Sequence, residues 1–223
     1  MYQQSGSPSG PSSGGFAPAV SAPGLLGQVL GITGVGFLFT AAAAYLFRGI
    51  PAMIGLIALI GGIVLIFVMG RVRNNPQAAL LWFYAFTFLE GIGIAPVITQ
   101  YAVDIGPEVV VNAAATTGLG MVLLGCIAFI FSVDWRRFSG IASVALILLI
   151  VVGIISAFTR FIQPDAFSWL VLGVFGLWTL IDFSRIRAGG GGATAVELAV
   201  AIYLDALNIF LAVLELMGSR SRR

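Results

Sequence analysis

The chain has 223 residues, 59% of them hydrophobic and only 9% charged, with a mean hydropathy of +1.06; a soluble domain carries about 25% charged residues, so the solvent here must be lipid. A net charge of +2 arises without a single lysine or histidine, every basic residue being arginine. Those absences exclude a retinal Schiff base, histidine-ligated haem, the common zinc sites and Ser-His hydrolysis, and nothing in the charge pattern points to nucleic acid.

Residues 1–23 are rich in Ser, Gly and Pro and carry no charged side chain. Such a segment buries too little apolar surface to fold, so it reads as a disordered tail. It lacks the basic start and apolar core of a secretory signal. Seven apolar runs follow, at 25–47, 51–70, 78–101, 109–132, 139–161, 166–184 and 195–217. Each satisfies the requirement of about 20 residues for a membrane-crossing helix. The breaks between them are short and polar: RGIP after the first, RVRNNP after the second, DIGPE, DWRR, RFIQPD, and RIRAGGGG before the last. The expected fold is therefore all-α. A seven-helix transmembrane domain occupies residues 24–218, with a basic tail over 219–223.

Arginines alternate by loop. Arg71, Arg73, Arg136, Arg137, Arg185 and Arg187 fall in the even loops, whereas the odd loops hold only Arg48 and Arg160. The positive-inside rule puts the even loops and the N-terminus in the cytoplasm. Seven full spans then export the C-terminus, against the basic pull of Arg220, Arg222 and Arg223; the alternative is a last run that stops short of a full crossing. Gly27, Gly31, Gly173, Gly176 and the Ala41–Ala44 patch read as close-packing faces. The single cysteine, Cys126, reads as a buried structural thiol.

Acids at bilayer depth carry the functional signal, because each costs roughly 2.5–3.5 kcal/mol to insert. In the third run Glu90 precedes Gly91, Gly93 and Pro96, which weaken regular helix and make Glu90 a candidate to line a path. Asp182 lies near the end of the sixth run with Arg185 three residues on. It is either an interfacial acid paired with that arginine or half of a site. Asp205 lies inside the last run. Glu197, Ala201, Asp205, Asn208, Ala212 and Glu215 are spaced by 4, 4, 3, 4 and 3 residues and share one helix face. That polar seam either glues helices together or lines a water path, so the last run belongs at the centre of a bundle or beside water.

Asp182 and Asp205 both fall in the cytoplasmic half. Two close carboxylates in a low dielectric cannot both ionise cheaply and titrate as a unit. Sharing one proton ties their helices together. Losing it drives them apart or recruits a hard cation such as Ca2+, which favours oxygen ligands. No resident metal site is evident beyond such transit near the pair, and no cofactor is expected. Arg71 and Arg73, at a similar depth, are either charge anchors or latches on the aspartates.

The segment AIYLDALNIFLAVLELMG, with LWTLIDFSRI before it and TFLEGIGIAPV in the third run, resembles the Bax inhibitor-1 family, and the likeness covers nearly the whole chain after the tail. The resemblance implies seven helices with the last surrounded by the other six. It also implies a pH-sensitive calcium leak with Asp182 and Asp205 as sensor and an arginine, Arg73 or Arg71, as latch. It further implies protein contacts in cell death or membrane-protein quality control, and residence in a bacterial inner membrane.

The leading expectation is a channel rather than an enzyme: a proton-gated cation leak. The alternative is a regulatory protein without a pore that acts through partners such as a membrane protease. An intramembrane aspartyl protease is disfavoured, since Leu204 separates Tyr203 from Asp205 and Met121 follows Gly118-Leu119-Gly120. A secondary exchanger lacks the support of an internal repeat.

Overall fold

The computed structural model describes residues 22–131 and 133–221. Seven long helices are present: α1 (Ala22–Leu46), α2 (Ala52–Arg71), α3 (Pro76–Asp104), α4 (Pro107–Ile130), α5 (Ser139–Thr159), α6 (Pro164–Arg187) and α7 (Ala195–Ser221). All seven are long and apolar enough to cross a bilayer, and no strand occurs among the described residues. The fold is thus the expected all-α bundle. Of the expected 1–23 tail, all but the last two residues lie outside the described region, and those two already belong to α1. The helix also continues through the expected 219–223 tail as far as Ser221.

Local chemistry sets the helix ends. Helices α3, α4 and α6 each start two residues earlier than the apolar runs suggest, on Pro76, Pro107 and Pro164. Proline suits the first helical position, where its missing N–H has no partner to lose. Before α3, the Asn75 side chain accepts from the Ala78 N–H at 3.2 Å. Between α6 and α7, Gly189 to Gly192 all adopt positive φ, from 59° to 86°. Side chains rarely tolerate that conformation, so this tight turn needs its glycines.

Helix α7 is the most enclosed element, with 61% of its spanning window buried. It packs against α1, α3, α4 and α6. Helix α2 packs mainly on α3, and α5 mainly on α6, so these two form the outer flanks. The last helix is therefore central, but four neighbours rather than six make up most of its surround.

It also crosses completely. Gly218 near its end sits against the rings of Tyr101 and the side chain of Ile105, at the end of α3. The C-terminal end thus lies on the face opposite the arginine-rich even loops, which removes the reading in which the last run stops short.

Lipid tails are as apolar as leucine, so close packing and interhelical hydrogen bonds hold such a bundle together. The packing glycines are not the expected ones. A Cβ at Gly27, Gly31, Gly173 or Gly176 would meet nothing within 4 Å. The intimate contacts occur where α3 meets its neighbours. Gly91 abuts the Thr40 carbonyl and Ala43 of α1, and a Cβ on Gly55 of α2 would lie 2.9 Å from the Gly93 carbonyl. Of the alanine patch, Ala43 and Ala44 are buried, while Ala41 and Ala42 are exposed. Sequence spacing showed that small residues were present but not which helix faced them.

A polar chain joins α7 to α1 and α3. The Tyr203 hydroxyl lies 2.7 Å from Thr40 Oγ1, which lies 2.9 Å from the Thr87 carbonyl. The threonine proton goes to a carbonyl, so Tyr203 donates. Such bonds average about 0.6 kcal/mol in membranes.

Candidate functional site: the buried aspartates of α6 and α7

Asp182 and Asp205 are 3% and 5% exposed, so both acids are enclosed by protein rather than lipid. They sit on two helices that pack together, α6 and α7, within electrostatic range of one another, with the Thr179 hydroxyl beside Asp205. Thr179 precedes Asp182 by three residues, so one face of α6 presents both groups. No hydrogen bond joins the two carboxyls directly. Asp182 Oδ1 accepts from Arg185 Nη1 at 3.0 Å, and Asp205 Oδ2 has no hydrogen-bond partner. Asp182 thus pairs with Arg185 and lies within electrostatic range of Asp205.

The latch expected of Arg71 or Arg73 is not at this pair. Arg73 lies 3.6 Å from Glu197, and both are substantially exposed. Arg71 is exposed and joins none of the ion pairs among the described residues. The physical reason is reach. Arg185 is on the same helix as Asp182, three residues on, whereas Arg71 ends α2, which packs mainly on α3, and Arg73, in the turn beyond it, is taken up by Glu197.

The polar seam of α7 divides into separate jobs. Glu197 closes a reciprocal cap at the start of the helix: its Oε2 accepts from the Thr194 N–H at 2.7 Å, and Thr194 Oγ1 accepts from the Glu197 N–H at 3.2 Å. This is a capping box, written in the sequence as Thr194-Ala195-Val196-Glu197 and overlooked there. Asn208 donates to its own helix, to the Leu204 carbonyl at 2.8 Å. At the far end the Tyr101 hydroxyl donates to Glu215. Only Asp205 of the seam is a buried acid.

Glu90 is buried but belongs elsewhere. Its carboxyl points to α2, where a Cβ on Gly62 would lie 2.7 Å from Oε1. It acts electrostatically on Tyr203, which faces Thr40, Phe83 and Phe86. Tyr203 and Asp205 are two residues apart and hence about 200° apart around α7. Glu90 and Asp205 thus lie on opposite sides of the central helix and do not line one path.

A cavity of about 1200 Å³ opens between α1 and α4, with α3 and α7 as its floor. Neither aspartate is on its wall. Cys126 is, and is exposed there rather than buried, because an apolar run in lipid can face outward without penalty. On the arginine-rich face Arg187 donates to the carbonyls of Ala128, Phe131 and Val133 at 2.5, 2.5 and 2.8 Å, tying α6 to the end of α4. In the same loop Asp134 receives the Arg136 guanidinium at 2.8 Å. That hydrogen bond holds the Asp134 carboxyl below its ordinary range. No group of three or more His, Cys, Asp or Glu side chains gathers into a metal-binding arrangement among the described residues.

Comparison with known proteins agrees with the resemblance read from the motifs. The family described as "Inhibitor of apoptosis-promoting Bax1" matches residues 23–222. An uncharacterized membrane protein of Vibrio cholerae is 31% identical over 183 residues, 80% of each chain. The modulator of FtsH protease YccA of Escherichia coli is 26% identical, covering 75% of this chain and 76% of its own. A Golgi anti-apoptotic protein of vaccinia virus is 27% identical, covering 89% of this chain and 86% of its own. Seven spanning helices make the protein a multi-pass integral membrane protein, and its bacterial relatives, one of them named an inner membrane protein, put it in the inner membrane. With a family match running from the first helix to the end of the last, the chain belongs to the Bax inhibitor-1 family.

Proposed function

We propose that the protein is a proton-responsive cation leak, with Ca2+ as permeant ion and the Asp182–Asp205 pair as its sensor. The observation that carries this reading is the meeting of two enclosed carboxyls on facing helices, one of them with an oxygen that no hydrogen bond satisfies. With a proton on the pair the α6–α7 seam is electrically quiet and the helices stay packed. With both carboxylates ionised their repulsion is only partly offset by Arg185, and the seam opens or takes up a cation. Two carboxylates fall well short of the six to eight oxygens that hold Ca2+ tightly, which suits passage rather than storage. The route runs along the α6–α7 seam, since the α1–α4 cavity has neither acid on its wall.

The test is Ca2+ flux in proteoliposomes over stepped pH, with wild type beside Asp205→Asn and Asp182→Asn. The proposal expects flux whose pH dependence is altered in both variants. Flux with the wild-type pH profile in both would remove the sensor.

A second reading is favoured by the name of the E. coli relative, a modulator of the FtsH protease. On that reading this chain restrains a membrane protease by direct contact and needs no pore. Vesicles showing no flux at any pH, together with a stable protease complex recovered from membranes, would favour it over the leak.

A further inference from the structure

The cavity between α1 and α4 has a chemical polarity that the aspartate pair does not explain. Its walls are mainly apolar, with Leu30 and Phe37 from α1, Ile98 from α3, Met121 from α4 and Phe210 from α7 and a few threonine hydroxyls between them. Helices α1 and α4 do not pack closely on each other, so the cavity is open sideways to lipid. Among the described residues one cation stands on its wall, Arg48, at the odd-loop end beside Tyr45. The guanidinium lies 4.6 Å from the centre of the Tyr45 ring and joins none of the ion pairs among the described residues. The opposite end, near Leu26 and Phe129, has no charged residue on the wall among the described residues.

We propose that this cavity binds one anionic phospholipid from the odd-loop leaflet, its phosphate on Arg48 and an acyl chain along the groove. A single cation at one end of an apolar slot complements an amphiphile with one charged head and one apolar tail. A transmembrane helix from a partner would not require that charge. The lengths also agree. From Pro107 to Gly118 is eleven residues of α4, about 16 Å at 1.5 Å per residue, and half the hydrocarbon thickness is about 15 Å. An acyl chain anchored at Arg48 therefore ends near Gly118, where an added Cβ meets nothing within 4 Å. Tyr45 and Arg48 form the interfacial pairing expected at a headgroup.

The test places a fluorophore on Gly118→Cys in a Cys126→Ala background, reconstituted in mixed phosphatidylglycerol and phosphatidylcholine vesicles of fixed composition. Mid-chain bromines are carried by one lipid or the other. Phosphatidylglycerol should quench preferentially, by about fivefold for one arginine contact. Arg48→Gln should remove the preference while leaving quenching by phosphatidylcholine intact, which also shows that the groove persists. Arg160→Gln, on the same face but outside the cavity, should leave the preference in place. A label on the native Cys126, in the other half of the groove, should see both lipids alike. Equal quenching by both lipids at position 118 in the chain with Arg48 intact would overturn the proposal. So would an absence of quenching by either lipid, which would mean that protein closes or fills the groove. Loss of the preference in Arg160→Gln as well would reduce it to general surface charge and overturn it equally.

Discussion

Arg185 Nη1 stands 3.0 Å from Asp182 Oδ1, joining a half-exposed cation to an enclosed acid on the same helix. An opposite charge this near favours the ionised carboxylate. Arg185→Gln therefore shifts the proton balance of the Asp182–Asp205 pair toward the protonated state. The midpoint of pH-dependent Ca2+ flux should move to higher pH. Flux titrations of the variant and wild type in the same vesicles check this, and an unmoved midpoint would count against Asp182 as part of the sensor.

Glu197 serves as a helix cap, so its loss should be felt in stability rather than gating. Thr194→Ala and Glu197→Ala each remove one arm of the cap and should cost about 0.5–2 kcal/mol. Glu197→Gln keeps an acceptor for the Thr194 N–H and should cost less, since the Arg73 contact it weakens is exposed. Thermal melts in detergent rank the three, and the pH profile of flux should be the same in all of them.

Two glycines separate packing from composition. Gly91→Ala sets a methyl against the Thr40 carbonyl and Ala43, where backbone must move, at a cost of about 1–3 kcal/mol for overpacking. Gly27→Ala meets open space and should be neutral or stabilising by up to about 1 kcal/mol through helix propensity. A melt in which both variants fall equally would refute the close α1–α3 approach.

Asp134 is an acid that should not sense pH in the working range. Its carboxyl is held below the ordinary aspartate range, first by the Arg136 hydrogen bond. A group depressed in this way contributes stability above its unfolded pKa and loses it only as pH falls through the lower folded value. Between pH 5 and 8 it stays ionised. Asp134→Asn should leave the flux profile unchanged across that window, in contrast to either buried aspartate.

The bundle was legible in the sequence because lipid imposes a simple rule on composition, and the prolines that start three helices merely sharpen its edges. Asp182 and Asp205 were legible because a charge at membrane depth has few tolerable surroundings. Other residues misled for physical reasons. Glu197 and Asp205 share the helical period, yet one caps an end and the other lies in the core, and period alone does not distinguish them. The Thr-x-x-Glu signal did mark the cap. Cys126 looked buried because in a soluble chain an apolar run means core, while in a membrane it also means lipid contact. Arg185, rather than Arg71 or Arg73, holds Asp182, a choice of partner that depends on which helices neighbour α6. The α1–α4 cavity left no trace in spacing, since it is defined by two helices that do not pack closely on each other.

The complete passage of α7, fixed where Gly218 meets Tyr101, has a consequence for traffic with other molecules. Arg220 and the even-loop arginines are presented to different compartments. A soluble binder attracted to positive charge would find two unrelated docking stations, and an antibody or protease added on one side would reach only one of them.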